Sequence, residues 1–233
     1  MSGHSHYATT KRQKELKDNA RGQVFSKLSR AITIAAKGGA DPDANFKLRI
    51  AIEKAREASM PKENIDRAIS KASSGGELEE VLYEGFAPGG AAVLVEVATD
   101  NRNRTNAEIK NLFEKNGGKM GNPGSVSFNF APKGLLVIKK TASDDDLLKL
   151  IDLGAEDFED VGEELEIYVE PNKLNEMQKK LTENSFQVTS AELMQKPINF
   201  SDVTPDKSAQ VTQFLENFDN HDDVQKVFTN ANF

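Results

Sequence analysis

The sequence predicts a protein of the α+β class, with helices in the first third of the chain and sheets in the rest. Three observations support this prediction. Up to about residue 72, apolar residues recur at spacings of three and four, the period of a helix. From Val81 onward they alternate, which is the period of a strand. Between Leu135 and Leu193 the two periods follow one another in the order β-α-β-β-α-β.

The first third of the chain predicts three helices. Gly38-Gly39 ends the first, Asp41-Pro42 starts the second and Pro61 opens the third. Their apolar faces are Val24, Phe25, Leu28, Ile32 and Ala35, then Leu48, Ile52 and Ala55, then Ile65, Ala68, Ile69 and Ala72. A Ser-Ser-Gly-Gly linker follows at 73–76, so we expect a basic helical domain over residues 1–76.

The next segment predicts a small sheet with one helix. Strands are expected at Val81–Phe86 and Ala91–Thr99. A capping box over Thr105–Glu108 would start the helix, and Gly117-Gly118 would end it. Alternation of Val126, Phe128 and Phe130 predicts a further strand.

The stretch after residue 130 predicts a complete ferredoxin-like unit, because β-α-β-β-α-β is the order of that fold. The tail that follows holds one amphipathic helix and one strand, too little to fold alone. It supplies the helix and the strand that the segment 77–130 lacks. We therefore expect two ferredoxin-like α+β domains, one inserted in the other: a discontinuous domain of 77–130 plus 200–233, and an inserted acidic domain of 131–199.

Composition limits the possible classes of protein. The 233 residues include no cysteine, which excludes disulfides, thiolate zinc sites and cysteine nucleophiles. No apolar run approaches the roughly 20 residues of a membrane helix, so no membrane partner is expected. The opening segment lacks the apolar core of a secretory signal, and it runs into a patterned helix without the boundary of a transit peptide. We expect a cytoplasmic protein.

Charge is distributed unevenly along the chain. Residues 1–76 carry 15 Lys and Arg against 8 Asp and Glu, whereas residues 141–233 carry 7 against 21. Such asymmetry indicates different roles for the two parts. We expect the acidic carboxyl-terminal half to repel phosphate or to bind a protein partner.

Basic residues are the strongest candidates for function. Lys11, Arg12, Lys14, Lys17 and Arg21 fall within eleven positions, and Lys27 and Arg30 continue the series. Three of them, Lys14, Lys17 and Arg21, would share one face of a helix. This pattern is typical of contact with a phosphate backbone, although an ordinary solvated helix remains open. Aromatic residues for base readout are sparse in this region, which favours backbone contact over sequence readout.

Two further groups of cations are candidates. Arg102 and Arg104 precede a predicted helix, where cations oppose the helix dipole. Either a bound anion or a salt bridge with Asp100 would explain them. Lys119 lies in the glycine-rich loop 117–125, which is either a helix cap with a flexible loop or a contact loop. That loop does not match the P-loop pattern.

No catalytic or metal site is expected. His4 and His6 lack the further ligands of a metal site, and His221 fits a turn between a helix and a strand. Asp144-Asp145-Asp146 is explained by capping of a helix. No nucleotide-binding loop and no nucleophile with a base is present, so neither a cofactor nor an enzyme activity is predicted.

Several separate motifs occur together along the whole chain. They are Gly3-His4-Ser5, Phe25-Ser26-Lys27-Leu28, Met60–Ile65, Tyr83-Glu84-Gly85, Pro88-Gly89-Gly90, Thr99–Thr105 and Asn116-Gly117-Gly118. In this set and order the chain resembles the YebC family. Many relatives read Gly-His-Ser-Lys-Trp at the start, whereas His6 and Tyr7 stand here.

The resemblance implies a three-domain protein that binds nucleic acid. The family is generally described as probable DNA-binding transcriptional regulators. Some members resemble ribosome-associated factors that contact rRNA or tRNA and assist translation of proline-rich stretches. We expect a non-enzymatic DNA-binding regulator of transcription, with a translation factor as the alternative. The residues do not decide between the two.

Overall fold

The structure, a computed structural model, describes residues 18–73, 78–140 and 144–233. The side chains of residues 18–21 and 144 lie outside this description. Contacts divide the described residues into two compact units. One unit is 130–198, and the other joins the residues before 130 to 199–233.

Three helices form the first part of the chain: α1 (Asp18–Ala36), α2 (Phe46–Glu57) and α3 (Lys62–Ser73). Helix α1 packs against both of the others, and Ile32, Leu48 and Ala55 are fully buried in their shared core. Helix α2 does not begin at Asp41-Pro42 as predicted. It begins at Phe46 because the Asn45 side chain accepts a hydrogen bond from Leu48 N at 3.1 Å and caps the helix there.

The next elements are strands β1 (Glu79–Phe86) and β2 (Ala92–Thr99), helix α4 (Arg102–Lys115) and the short strand β3 (Lys119–Met120). Strand β1 lies between β2 and β3 and is antiparallel to both. The strand predicted around Phe128 is wrong, because residues 127–129 form a 3-10 turn. Backbone N–H groups of this stretch bind the Glu84 carboxylate and not a neighbouring strand.

The unit 130–198 follows the predicted β-α-β-β-α-β order. Its elements are β4 (Phe130–Lys139), α5 (Asp144–Leu153), β5 (Asp157–Asp160), β6 (Glu164–Val169), α6 (Leu174–Glu183) and β7 (Val188–Pro197). The sheet order is β5-β6-β4-β7 and all neighbours are antiparallel, which is the ferredoxin-like arrangement. Leu136 and Ile138 of the sheet and Leu150 and Leu181 of the helices are fully buried.

The tail completes the first sheet. It contains β8 (Ser201–Asp202), α7 (Pro205–Asp219), β9 (Val224–Thr229) and β10 (Ala231–Asn232). Strand β9 pairs antiparallel with β2, giving the order β3-β1-β2-β9, and β8 pairs with β10. Helix α7 packs on α4 through three rings: Phe113 lies 5.6 Å from Phe214 and 4.7 Å from Phe218, between centroids. These contacts span about a hundred residues of sequence.

The predicted α+β class, with N-terminal helices followed by sheet domains, is confirmed. Among the residues that the structure describes, none of the helices combines the length and the apolar character needed to cross a membrane.

Candidate nucleic-acid interface

The basic run at the start of the chain extends onto helix α1. Lys11, Arg12, Lys14 and Lys17 lie outside the described residues. Arg21 lies on α1, and its side chain is also outside the description. Their predicted contact with phosphate therefore stays a prediction.

Lys27 and Arg30, also on α1, bind the turn between α7 and β9. Lys27 Nζ donates to Asp219 O at 2.5 Å, and the Arg30 guanidinium donates to Asp222 O. Asp219 is the last residue of α7, and carbonyls at the end of a helix have no partner within the helix and carry partial negative charge, so they attract a cation such as Lys27. Both side chains thus hold α1 against the carboxyl-terminal part of the chain.

Asp223 is the centre of this contact. Its side chain is 4% exposed, and Arg30 Nη1 lies 2.6 Å from its Oδ1. Arg104 Nη2 lies 2.9 Å from its Oδ2, to which the Thr105 hydroxyl also donates at 2.6 Å. Burial alone would raise the pKa of Asp223. The hydrogen bonds from Thr105 and Arg104 and the charge of Arg30 outweigh burial, so the pKa lies below its ordinary value. One buried carboxylate therefore joins α1, α4 and β9.

Arg102 and Arg104 belong to the first turn of α4, which begins earlier than predicted. Asn101 is the N-cap, since its Oδ1 accepts from Arg104 N at 3.1 Å. The capping box at Thr105 is wrong. Thr105 is fully buried, and its hydroxyl lies 2.7 Å from that of Thr99 and binds Asp223.

The salt bridge considered for these arginines is present. Arg104 Nη2 lies 3.1 Å from Asp100 Oδ1, in addition to its contact with Asp223. The two carboxylates offset the cation at this helix terminus. Arg104 keeps a side-chain exposure of 44%, and Arg102 is exposed. Any phosphate contact at Arg104 would be made by the part of the guanidinium that these carboxylates leave open.

Lys119 is exposed on β3, at the edge of the first sheet. The loop that follows it is held by Glu84, whose carboxylate accepts from the N–H groups of Gly124 at 2.7 Å, Val126 at 2.8 Å and Ser127 at 2.9 Å. Burial raises the pKa of Glu84, but these three hydrogen bonds lower it below the ordinary value. The amides that could have received a phosphate therefore already bind a carboxylate of the protein.

A group of possible metal ligands lies beside the Asp223 contact. Ligand atoms of Glu108, His221 and Asp223 all lie within 4.8 Å of one another. However, Arg30 and Arg104 already occupy both oxygens of Asp223. Their positive charges oppose a metal cation at the same carboxylate. His221 lies in a turn, as predicted, where its Nδ1 accepts from Asp223 N at 3.2 Å.

The residues missed from the sequence are Asp223, Glu84 and Phe128. Asp223 and Glu84 act on partners that are distant along the chain, so no local pattern marks them. Alternation predicts a strand at Phe128, whereas this residue is 68% exposed in the 3-10 turn. The Pro123-Gly124 pair just before it is the local signal that favours a turn over a strand.

Comparison with known proteins matches almost the whole chain. The family described as "TACO1/YebC protein N-terminal domain" matches residues 5–75, and "TACO1/YebC second and third domain" matches 78–231. Two relatives named probable transcriptional regulatory protein come from Methylacidiphilum infernorum and Chloroflexus aurantiacus. Each is 46% identical over 99% of this chain and 95% of its own length.

A solved structure shows the same fold. The crystal structure of a conserved hypothetical protein from Aquifex aeolicus is 41% identical, with a TM-score of 0.88, over 97% of this chain and 96% of that one. Family match, identity and fold agree with the motifs that run from Gly3 to Gly118. The chain therefore belongs to the TACO1/YebC family.

Proposed function

We propose that the protein is a non-enzymatic regulator that binds nucleic acid, and that it acts on transcription through DNA in the cytoplasm. The observation that carries this proposal is the basic character of residues 1–76 in a chain whose net charge is −7. The names of the two relatives support a role in transcription. The proposal requires no cofactor and no chemical step.

The interface proposed here is the basic run of residues 11–21 together with the helical domain. Exposed cations continue along the described part of that domain, at Lys47 and Arg56 of α2 and at Lys62 and Arg67 of α3. Each cation placed near a phosphate releases condensed counterions, which favours binding. Arg102 and Lys119 are exposed and add to the same proposal.

Lys27, Arg30 and Arg104 have a second role in this proposal. Each binds the α7–β9 turn or Asp223. They would support nucleic-acid binding in two ways. Their contacts fix the direction of α1, and the exposed parts of their side chains would contact phosphate.

The acidic domain is proposed to stay away from the nucleic acid. Residues 131–199 carry 8 Lys and no Arg against 15 Asp and Glu. Such a field repels phosphate and suits a protein partner with a basic surface. This uneven charge allows one part of the molecule to dock on nucleic acid while another remains available.

Charge reversal tests the interface. Replacing Lys11, Arg12, Lys14, Lys17 and Arg21 with Glu is expected to abolish binding of the full chain to duplex DNA while leaving thermal unfolding unchanged. The matched control reverses Lys139, Lys140, Lys149, Lys173 and Lys179, which gives the same change in net charge on exposed residues of the acidic domain. Equal affinities for the two variants would remove the basic run from the interface.

Crosslinking in cells, with sequencing of the bound DNA and RNA, distinguishes transcription from translation. The proposal predicts enrichment of promoter DNA. Enrichment of rRNA and tRNA would instead establish the ribosome-associated alternative. The charge-reversed variant is the control, since specific crosslinks should disappear with it.

We also propose the division into domains 1–76, 77–130 plus 200–233, and 131–199. The pairing of β9 with β2 and the contacts of Phe113 with Phe214 and Phe218 support a discontinuous second domain. Limited proteolysis tests this division. A fragment that ends at residue 130 and remains folded without the tail would contradict it.

A further inference from the structure

One aromatic ring stands apart from the core. Phe128 is 68% exposed, more than any other large apolar side chain that the structure describes, whereas Phe113, Phe214 and Phe218 are at most 1% exposed. Single exposed apolar residues are common on protein surfaces. The exposure of Phe128 is therefore informative only together with how the ring is held and what surrounds it.

The backbone that leads into Phe128 is fixed by hydrogen bonds to Glu84. The Glu84 carboxylate binds the N–H groups of Gly124, Val126 and Ser127, and Gly121 N donates to Glu84 O at 2.8 Å. Val126 is fully buried. A ring presented on a backbone that is already ordered loses less conformational entropy when it binds a ligand.

The register of the first sheet places the cation Lys119 on the face where Glu84 holds the loop. Lys119 lies directly opposite Phe86 in the antiparallel β1–β3 pair, so their side chains share one face. Glu84 is two residues from Phe86 on β1 and therefore points to that face as well. The exposed Lys119 and the loop that carries Phe128 are thus on one side of the sheet.

The cation on this side of the sheet favours a nucleotide over a wholly apolar partner. The loop exposes Asn122, Pro123 and Gly124, and Leu82 and Phe86 are partly exposed on the same face of β1 as Glu84. The loop amides bind Glu84, so the loop does not cradle a phosphate. An exposed flat ring and an ammonium group on one side of the sheet provide what an unpaired nucleotide needs: a surface for stacking the base and a charge for its phosphate.

We propose that Phe128 stacks on an unpaired base of a bound nucleic acid and that Lys119 contacts the adjoining phosphate. This inference rests on the proposed function and assigns it a second contact, distant in sequence from the basic run. It requires single-stranded or locally opened nucleic acid, because a base inside a duplex does not present its face.

A unique fluorophore tests the stacking. The chain contains no tryptophan, so Phe128→Trp introduces a single indole at the proposed contact. Its emission should be quenched by an oligothymidine or an oligouridine. An abasic oligomer of equal length and a duplex should leave it unchanged. Phe200→Trp is the matched control, since Phe200 is 53% exposed and lies before β8, and its indole should not respond.

Affinity gives an independent reading. Stacking contributes about 1–3 kcal/mol per base, so Phe128→Ala should weaken binding of the oligothymidine roughly 5- to 150-fold. Binding of the abasic oligomer should not change. The ring is exposed, so the thermal unfolding of this variant should match that of the wild type.

The outcomes separate this inference from the proposed function. If the wild type binds oligonucleotides in a salt-sensitive manner but neither Phe128 variant responds, the stacking is refuted and the proposed function stands. If the wild type binds no nucleic acid at all, the proposed function fails and the inference fails with it. Equal weakening for the abasic oligomer, or loss of a protein partner with unchanged oligonucleotide binding, would also refute stacking.

Discussion

Replacing Asp223 with asparagine removes the charge at the contact between α1, α4 and β9 and keeps the size of the side chain. In the wild type, the two carboxylate oxygens face Arg30 at 2.6 Å and Arg104 at 2.9 Å. The asparagine side chain retains one acceptor oxygen. Its amide N–H₂ would face one of the guanidinium groups, where donor opposes donor.

The magnitude follows from the exposure of each partner. A hydrogen bond to a charged group contributes about 1.5–3 kcal/mol, and this range applies to Thr105 and to Arg30, which is 23% exposed. The Arg104 pair is discounted to about 0–1 kcal/mol, because its side chain is 44% exposed to screening solvent. Since asparagine keeps part of these bonds, we expect Asp223→Asn to lower the free energy of unfolding by about 3 kcal/mol.

Thermal and chemical denaturation measure this loss. For a chain of this size, about 3 kcal/mol corresponds to a fall in Tm of about 6–12 °C. Asp222→Asn is the matched control, because its side chain is exposed and only its carbonyl binds Arg30. A variant at position 223 that is as stable as the one at position 222 would refute the account of Asp223 as the centre of the contact.

The same pair of variants predicts a dependence on pH. The pKa of Asp223 is lowered in the folded protein, so its contribution to stability is present above the ordinary value near 3.9. It is lost as the pH falls through the lowered folded value. The stability difference between wild type and Asp223→Asn should therefore be constant near neutral pH and shrink in strong acid. A difference that grew in acid would contradict the sign of the shift.

Two further substitutions test the first sheet. In Gly85→Ala the new Cβ would lie 2.5 Å from Phe113 Cε1 and 2.6 Å from Lys119 O. Denaturation should therefore show a free energy of unfolding that is lower by about 1–3 kcal/mol. An unchanged midpoint would contradict this packing. Glu84→Gln weakens the hold on the loop, so the amides of Gly124, Val126 and Ser127 should exchange hydrogen faster than in the wild type. Equal exchange rates would mean that the carboxylate does not fix the loop.

Local patterns predicted the ferredoxin-like unit well. Each of its strands and helices has its own period, and the turns between them carry residues such as Gly162 and Pro171. The three N-terminal helices were predicted for the same reason. The start of α2 was misplaced because Asn45, which has a strong capping preference, begins the helix after the predicted Asp41-Pro42 signal.

The misplaced details depend on contacts between distant residues. Thr105 had the sequence of a cap, but it is buried against Asp223, which lies 118 positions away. Phe128 followed the alternation of a strand, but Glu84 captures the backbone N–H groups beside it. A local period does not reveal the contact of Thr105 with Asp223 or that of Glu84 with the loop.

The candidate interface was predictable as a region and less so by residue. The basic run is visible in the sequence because like charges cluster there. Arg30 pairs with Asp223 at 2.6 Å, and no spacing rule connects residues so far apart in the chain. Sequence therefore identified which part of the protein is cationic, and the structure identified which cations are engaged within the protein.

The salt dependence of binding tests the central claim most directly. For duplex DNA, log affinity should fall linearly with log salt, with a slope of about −0.9 for each phosphate neutralised. Reversing Lys11, Arg12, Lys14, Lys17 and Arg21 should abolish binding at physiological salt, and any residual binding measured at low salt should have a slope flatter by up to about 4.5, while the control variant in the acidic domain keeps the wild-type slope. A wild-type affinity that does not change with salt, or the same slope for all three proteins, would contradict binding of nucleic acid through the basic run.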